Sequence, residues 1–276
     1  SLITHEFSKF QSSLMTCSCC CLARVYPLSD SHGLLSVSSR GWTHPAHIHC
    51  NNLGHSGNYT TTLDTMRAAE GRKAHITHIQ FNSYGGEPGK NPTSKAKEIS
   101  DFINENPNIS ADVGQVMFGK SVSMTADAPL AWMLRHVKER KWINCDTECE
   151  SGCGIIPFEY QQHVYTHTLQ WAIGLELFLM AKDPWRMVLS TDHPNGGSFM
   201  NYPRLIRLLM DRDFRKQEAA AVNQKALLST SLLDLDREYS LNDIAIVTRA
   251  APARLLGLKH KGHLGVGADA DITIYD

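Results

Sequence analysis

Leu189-Ser-Thr-Asp-His-Pro-Asn-Gly-Gly197 passes within nine residues from an apolar start through a carboxylate and an imidazole to three chain-breaking residues. With the preceding Trp185-Arg-Met-Val, the stretch from Trp185 to Thr191 reads as a buried strand that gives way to a loop at Pro194 and the glycine pair. An apolar helix from Trp171 to Met180 precedes it, and a helix from Tyr202 to Asp213 follows. The same order recurs upstream. Ala46-His-Ile-His-Cys50 alternates like a strand and ends in Asn-Asn-Leu-Gly, a loop signal. Thr61 to Glu70 reads as a helix closed by Gly71. His75 to Phe81 reads as a second strand, Lys95 to Asn104 as a second helix and Ile109 to Met117 as a third strand. Strands that alternate with helices predict an α/β fold with a parallel sheet. In such folds the chemistry sits on loops at the carboxyl ends of the strands.

Three residues fall at or near those ends: His49, His78 and Asp192. Each has an ordinary reading by itself. A strand histidine is commonly satisfied by a backbone carbonyl, and an aspartate before His-Pro commonly shapes a turn. Together, two imidazoles and a carboxylate pointing into one mouth make a donor set for zinc, with a position left open for water. His47 competes with His49, because side chains two apart on a strand share a face. His193 should point away from Asp192 and reach substrate from the loop, and Asn51 flanks His49 in a position where turn chemistry would also account for it.

Bulk properties narrow the partners. The 276 residues carry 27 Lys and Arg against 28 Asp and Glu, a formal net charge of -1, which gives no electrostatic reason to expect nucleic acid or a membrane surface. No apolar run approaches the ~20 residues a bilayer requires. Glu6 and Lys9 interrupt any signal-peptide pattern, so the expected location is cytoplasmic. Of the eight cysteines, Cys17, Cys19, Cys20 and Cys21 crowd together without loops between them, and Cys145, Cys149 and Cys153 lack paired CxxC spacing, so reduced thiols are expected. Gly85-Gly86-Glu-Pro-Gly89 has no following Lys-Ser/Thr and is not a phosphate loop. Trp185 and Phe178 are expected to fill core between helices and sheet.

The C-terminal Thr248-Arg-Ala-Ala-Pro-Ala-Arg-Leu-Leu-Gly257 and the following Lys261-Gly-His-Leu-Gly-Val-Gly-Ala-Asp-Ala-Asp271 resemble the ending of amidohydrolase-superfamily barrels. Within that superfamily, four segments resemble the A subunits of formylmethanofuran dehydrogenases and of bacterial formyltransferase/hydrolase complexes. They are His47-Ile-His-Cys-Asn-Asn-Leu-Gly54, His75-Ile-Thr-His-Ile-Gln-Phe81, Ala111-Asp-Val-Gly-Gln-Val-Met-Phe-Gly119 and the opening Leu189–Gly197 stretch. The resemblance implies a (β/α)8 barrel with two zinc ions. It makes His49 the ligand on the fifth strand, His78 the ligand on the sixth, and Asp192 the ligand and base on the eighth. It implies hydrolysis of the N-formyl group of formylmethanofuran to formate and the free amine, or the reverse, in one-carbon metabolism, with other subunits of such a complex as partners.

Only 48 residues precede His49, and a βαβ unit takes ~30 or more. The expectation is therefore a partial chain: residues 1–41 unassigned, 42–258 the C-terminal half of the barrel with its fifth to eighth strands, and 259–276 the start of a small β domain. Half a barrel leaves sheet edges open, which a partner or a second copy would cover. Two other readings stand beside this one: a cyclic-amide hydrolase of the same superfamily, and a non-catalytic scaffold subunit.

Overall fold

The computed structural model describes residues 22–24, 45–50, 52–87, 90–125, 154–272 and 274. The elements follow in chain order: β1 (Leu22–Arg24), β2 (Ala46–His49), α1 (Tyr59–Arg67), β3 (Ala74–Ile76), β4 (Tyr84–Gly85), β5 (Thr93–Ser94), α2 (Ala96–Glu105), β6 (Ile109–Asp112), β7 (Gly119–Thr125) and β8 (Gly154–Tyr160). After them come α3 (Tyr165–Met180), β9 (Met187–Val188), α4 (Tyr202–Met210), α5 (Arg212–Ala220), α6 (Gln224–Leu227), α7 (Leu241–Ala245) and α8 (Ala251–Leu255), the last two joined by a π turn at Ile246–Ala250.

Five strands form one parallel sheet in the order β1-β2-β3-β6-β9. Parallel strands in register carry matching side chains to the same face. Ile48, Ile76, Ala111 and Met187 line up across four strands and are completely buried against the helices. The alternate positions His47, His75 and Ser110 line up on the opposite face. One face is therefore apolar and the other carries imidazoles, a hydroxyl and, at the end of β6, Asp112. Among the described residues the sheet does not close into a barrel. Beyond β9, the Leu189 N–H donates to the carbonyl of Val247 in the π turn at 2.9 Å, so a helical segment meets that edge.

The parallel α/β expectation holds, with shorter strands. The segment expected to run from His75 to Phe81 leaves the sheet after Ile76, and Ile79–Asn82 forms a 3-10 turn. The one expected from Ile109 to Met117 ends at Asp112, and the one from Trp185 to Thr191 pairs only at Met187–Val188. The helix expected from Tyr202 to Asp213 divides at Asp211, whose carboxylate accepts the Phe214 N–H at 2.8 Å and so caps α5. Trp185 is 36% exposed beneath the Arg254 guanidinium, 5.3 Å from its ring, and is not core. The antiparallel β7–β8 pair has no counterpart in the strand–helix alternation. The crowded cysteines at 17–21, and Cys145, Cys149 and Cys153, lie outside the described residues. No helix among the described residues is long and apolar enough to cross a membrane.

Helix α3 is buried on all sides from His167 to Leu179 and packs against α2 and α6. It carries one carboxylate into that environment. Glu176 is 1% exposed, and it accepts the Ser94 hydroxyl at 2.5 Å and the Ser231 N–H. Burial pushes its carboxyl up to about 7, against the pull of those two hydrogen bonds and with a further push from Glu98. A carboxyl raised in the folded state binds its proton more tightly there than in the unfolded chain. Its contribution is therefore fully present at acid pH and is lost as pH rises from the ordinary carboxyl range through about 7. Glu176→Gln keeps an acceptor for Ser231 and a partner for Ser94 without the charge. It should add stability of about 1–3 kcal/mol at pH near 8 and little at pH near 5. Denaturant titrations of both proteins across that range check it, and parallel pH profiles would refute the buried-charge account.

Candidate active site

His49 is the last residue of β2 and faces the polar side of the sheet with His47. The two part company through their neighbours: His47 stacks on His75, with ring centroids 4.8 Å apart, and His49 meets His78 edge-on, at 4.7 Å. The Nδ1 of His49 and the Nε2 of His78 face each other at 2.8 Å. His78 follows β3 in a left-handed conformation, φ 38°. It is 8% exposed, and its Nδ1 is buried without a hydrogen-bond partner among the described residues.

Asp192 also adopts a left-handed conformation, φ 47°, in the loop after β9. Gly114 stands between these two residues. A side chain there would begin 2.5 Å from the His78 Cβ and 3.5 Å from the Asp192 Cβ, and Gly114 itself has φ 65°. Only a residue without a Cβ lets these strand ends converge. The loop that carries Asp192 is fastened from β7 and β8. The Ser121 hydroxyl donates to the carbonyls of Pro194 at 2.5 Å and Asn195 at 3.2 Å, and the Tyr160 hydroxyl donates to that of Asn195 at 3.1 Å. Burial, then the proximity of Tyr84 and the charge of Asp192, raise the Tyr160 phenol well above its ordinary value, so it stays a donor.

A carboxylate not singled out from the sequence lies beneath. Asp112 accepts the His78 N–H on Oδ1 at 3.0 Å, and the Ser190 hydroxyl on the same oxygen. Its Oδ2 stands 3.4 Å from His75 Nε2, and the other nitrogen of that ring pairs with the Ser110 hydroxyl at 2.9 Å. Burial alone would raise the Asp112 carboxyl. The hydrogen bond and charge of His75, the charge of His78 and the Ser190 hydroxyl outweigh it and hold the value at about 2. A sequence signal existed: in Ile109-Ser-Ala-Asp112 the polar residues alternate with buried Ala111, placing Ser110 and Asp112 on the histidine face.

Of the five residues singled out from the sequence, the structure brings His49 and His78 into contact and Asp192 close by. His193 is exposed, accepts the Phe199 N–H at 3.3 Å and packs on that ring at 4.9 Å. Asn51 lies outside the described residues. The chemistry of the donors suits zinc, and two imidazole nitrogens 2.8 Å apart approach the spacing of two ligands on one ion, each about 2.0–2.1 Å from it. Among the described residues, however, no group of three or more His, Cys, Asp or Glu side chains is gathered closely enough to hold an ion. These residues fit as a two-nitrogen bite with a carboxylate nearby. Cys50 does not extend it, since burial pushes its thiol up to about 12, against the weaker pull of a hydrogen bond with Thr65.

The model of the amidohydrolase family matches residues 20–276. Protein FwdA of Methanocaldococcus jannaschii is 43% identical over 265 residues, which cover 91% of this chain and 47% of that protein. The A subunit of the formyltransferase/hydrolase complex Fhc of Methylorubrum extorquens is 43% identical over 246 residues, covering 87% of this chain and 45% of that protein. The chain thus spans about half the length of these relatives. The crystal structure of the FhcABCD complex from Methylorubrum extorquens with methylofuran superposes with a TM-score of 0.77 at 42% identity, covering 87% of this chain and 45% of the matched one. The chain belongs to the amidohydrolase family.

Proposed function

We propose that this chain is part of the A subunit of a complex that cleaves, or in reverse forms, the N-formyl amide of formylmethanofuran or a close analogue. In this reading β2, β3, β6 and β9 are the fifth to eighth strands of a (β/α)8 barrel within residues 42–258. Residues 259–276 begin a small β domain, and the other subunits of a cytoplasmic complex are its partners. The observation that carries the reading is the convergence of His49 Nδ1 and His78 Nε2 at 2.8 Å beside Asp192, across a glycine that admits no side chain. Identity above 40% to subunits of this kind supports the substrate class.

His49 and His78 would hold zinc through those facing nitrogens, with Asp192 as the neighbouring carboxylate, and the intact site would hold two such ions. Bound zinc supplies Lewis acidity toward the formyl oxygen and makes water a nucleophile near neutral pH. The part of this chain's own residues is proton traffic and orientation. Asp192 takes a proton from the attacking water as the new C–O bond forms, then passes it to the amine nitrogen as the C–N bond breaks, leaving formate and the free amine. Ser121 and Tyr160 keep the Asp192 loop in place. Asn51 and His193 are the proposed substrate contacts.

Two experiments on the full-length protein in its complex separate these roles. Asp192→Asn should retain most of the zinc and lose about 10²–10⁴-fold in deformylation, the usual scale of a general acid–base residue. Turnover near wild type would remove Asp192 from the mechanism. His49→Ala and His78→Ala should each lower zinc content by metal analysis, and full zinc occupancy in both would sink the ligand assignment.

A further inference from the structure

We propose that Asp112 is a positioning residue, anchored by Ser190, whose carboxylate fixes the left-handed backbone of His78 and so sets the approach of His78 Nε2 to His49 Nδ1. The inference deepens the reading above and rests on it for the role of His78, but not for the geometry of Asp112.

His78 is a non-glycine residue at φ 38°, ψ 47°, a conformation that persists only where the surroundings hold it from several sides. Its carbonyl accepts the Phe81 N–H at 3.0 Å, which is local. Its N–H is taken by Asp112 at 3.0 Å, which is not local: 34 residues separate the two. Without that acceptor the N–H would be left without this partner, and the chain would have one fewer reason to turn after Thr77.

The carboxylate can do this because it is itself held. The Ser190 hydroxyl donates to Oδ1 and also accepts the Gly114 N–H at 2.9 Å, so Asp112 is tied to the strand end leading to Asp192. His75 flanks Oδ2 at 3.4 Å and is braced by Ser110 on its other nitrogen. One side chain on β6 therefore grips residues following β3 and β9, whose loops carry His78 and Asp192. A residue that only ended β6 would need a single contact. Three partners on two neighbouring strand ends, two of them within two residues of those side chains or on their own backbone, make a frame for the site.

The test uses the full-length protein in its complex and reads zinc retention against a competing chelator together with thermal melting. Asp112→Ala should lose about 10- to 100-fold in zinc affinity, the usual effect of removing an outer partner of a metal ligand. Its melting should stay close to wild type. Asp112→Asn keeps an oxygen toward the His78 N–H and the Ser190 hydroxyl, and it should recover most of the affinity. Wild-type retention in Asp112→Ala, or an Asp112→Asn as weak as Asp112→Ala, would overturn the proposal. Should Asp112→Ala fail to assemble, Ser190→Ala carries the test: reduced retention is expected, and unchanged retention would count against it. His78→Ala separates the two levels. If it leaves zinc unchanged, the ligand assignment fails, and a crystal structure of Asp112→Ala decides the inference alone, by whether His78 leaves the left-handed region as expected or stays there.

Discussion

The alternation of side chains along registered parallel strands is the constraint on which this molecule is built. Because Ile48, Ile76, Ala111 and Met187 must all enter the helix layer, the residues between them must face the other way. A shift of one residue in β2 or β3 would send a histidine into the apolar layer and an isoleucine out of it. The four-strand row of completely buried apolar residues therefore holds the polar row in register, and His47, His75 and Ser110 stand in line with no force of their own needed to align them.

Register brings the residues to one face, but it cannot bring strand ends together. Left-handed turns do that. Asn52, His78, Gly114 and Asp192 each have positive φ shortly after β2, β3, β6 and β9. For each residue other than glycine this conformation is disfavoured by roughly 1–2 kcal/mol. The hydrogen bonds described above offset it for His78. Around Asp192, the Asn195 N–H donates to its carbonyl at 2.6 Å and the Gly196 N–H to that of Thr191 at 3.0 Å. Backbone strain is thus concentrated where His49, His78 and Asp192 converge, and its support is local around Asp192 but comes from Asp112, 34 residues away, at His78.

That division explains what the sequence could reveal. The positions of β2, β3, β6 and β9 were legible, because alternation and apolar content are local properties. Their ends were not. In His75-Ile-Thr-His-Ile-Gln-Phe81 apolar Ile79 and Phe81 follow closely on Ile76, so local reading extends the strand. The chain turns at His78, whose N–H is taken by a carboxylate 34 residues away. Alternation places Asp112 on the histidine face, but its role escapes a local reading for the same reason, since its partners lie at the ends of two other strands. Asp211 shows the local counterpart: an aspartate in a helical pattern that caps the next helix instead of continuing the last. His193 shared the signal of Asp192, yet its ring settles on Phe199, a contact that adjacency in sequence does not foretell.

The β7–β8 pair gives the last step. It departs from the strand–helix alternation and contributes nothing to the parallel sheet, so by the logic of the fold alone it would be an ornament. Its side chains argue otherwise. Ser121, near the start of β7, and Tyr160, the last residue of β8, stand on directly neighbouring strands, and both donate to the carbonyl of Asn195. The Asp192 loop leaves the sheet after the two-residue strand β9, too short to hold a loop by ladder bonds. A carbonyl gripped by two hydroxyls from an independent pair of strands supplies the missing constraint. The base of the β7–β8 pair is thus coupled to the loop that carries the site's carboxylate, and β9 can remain short.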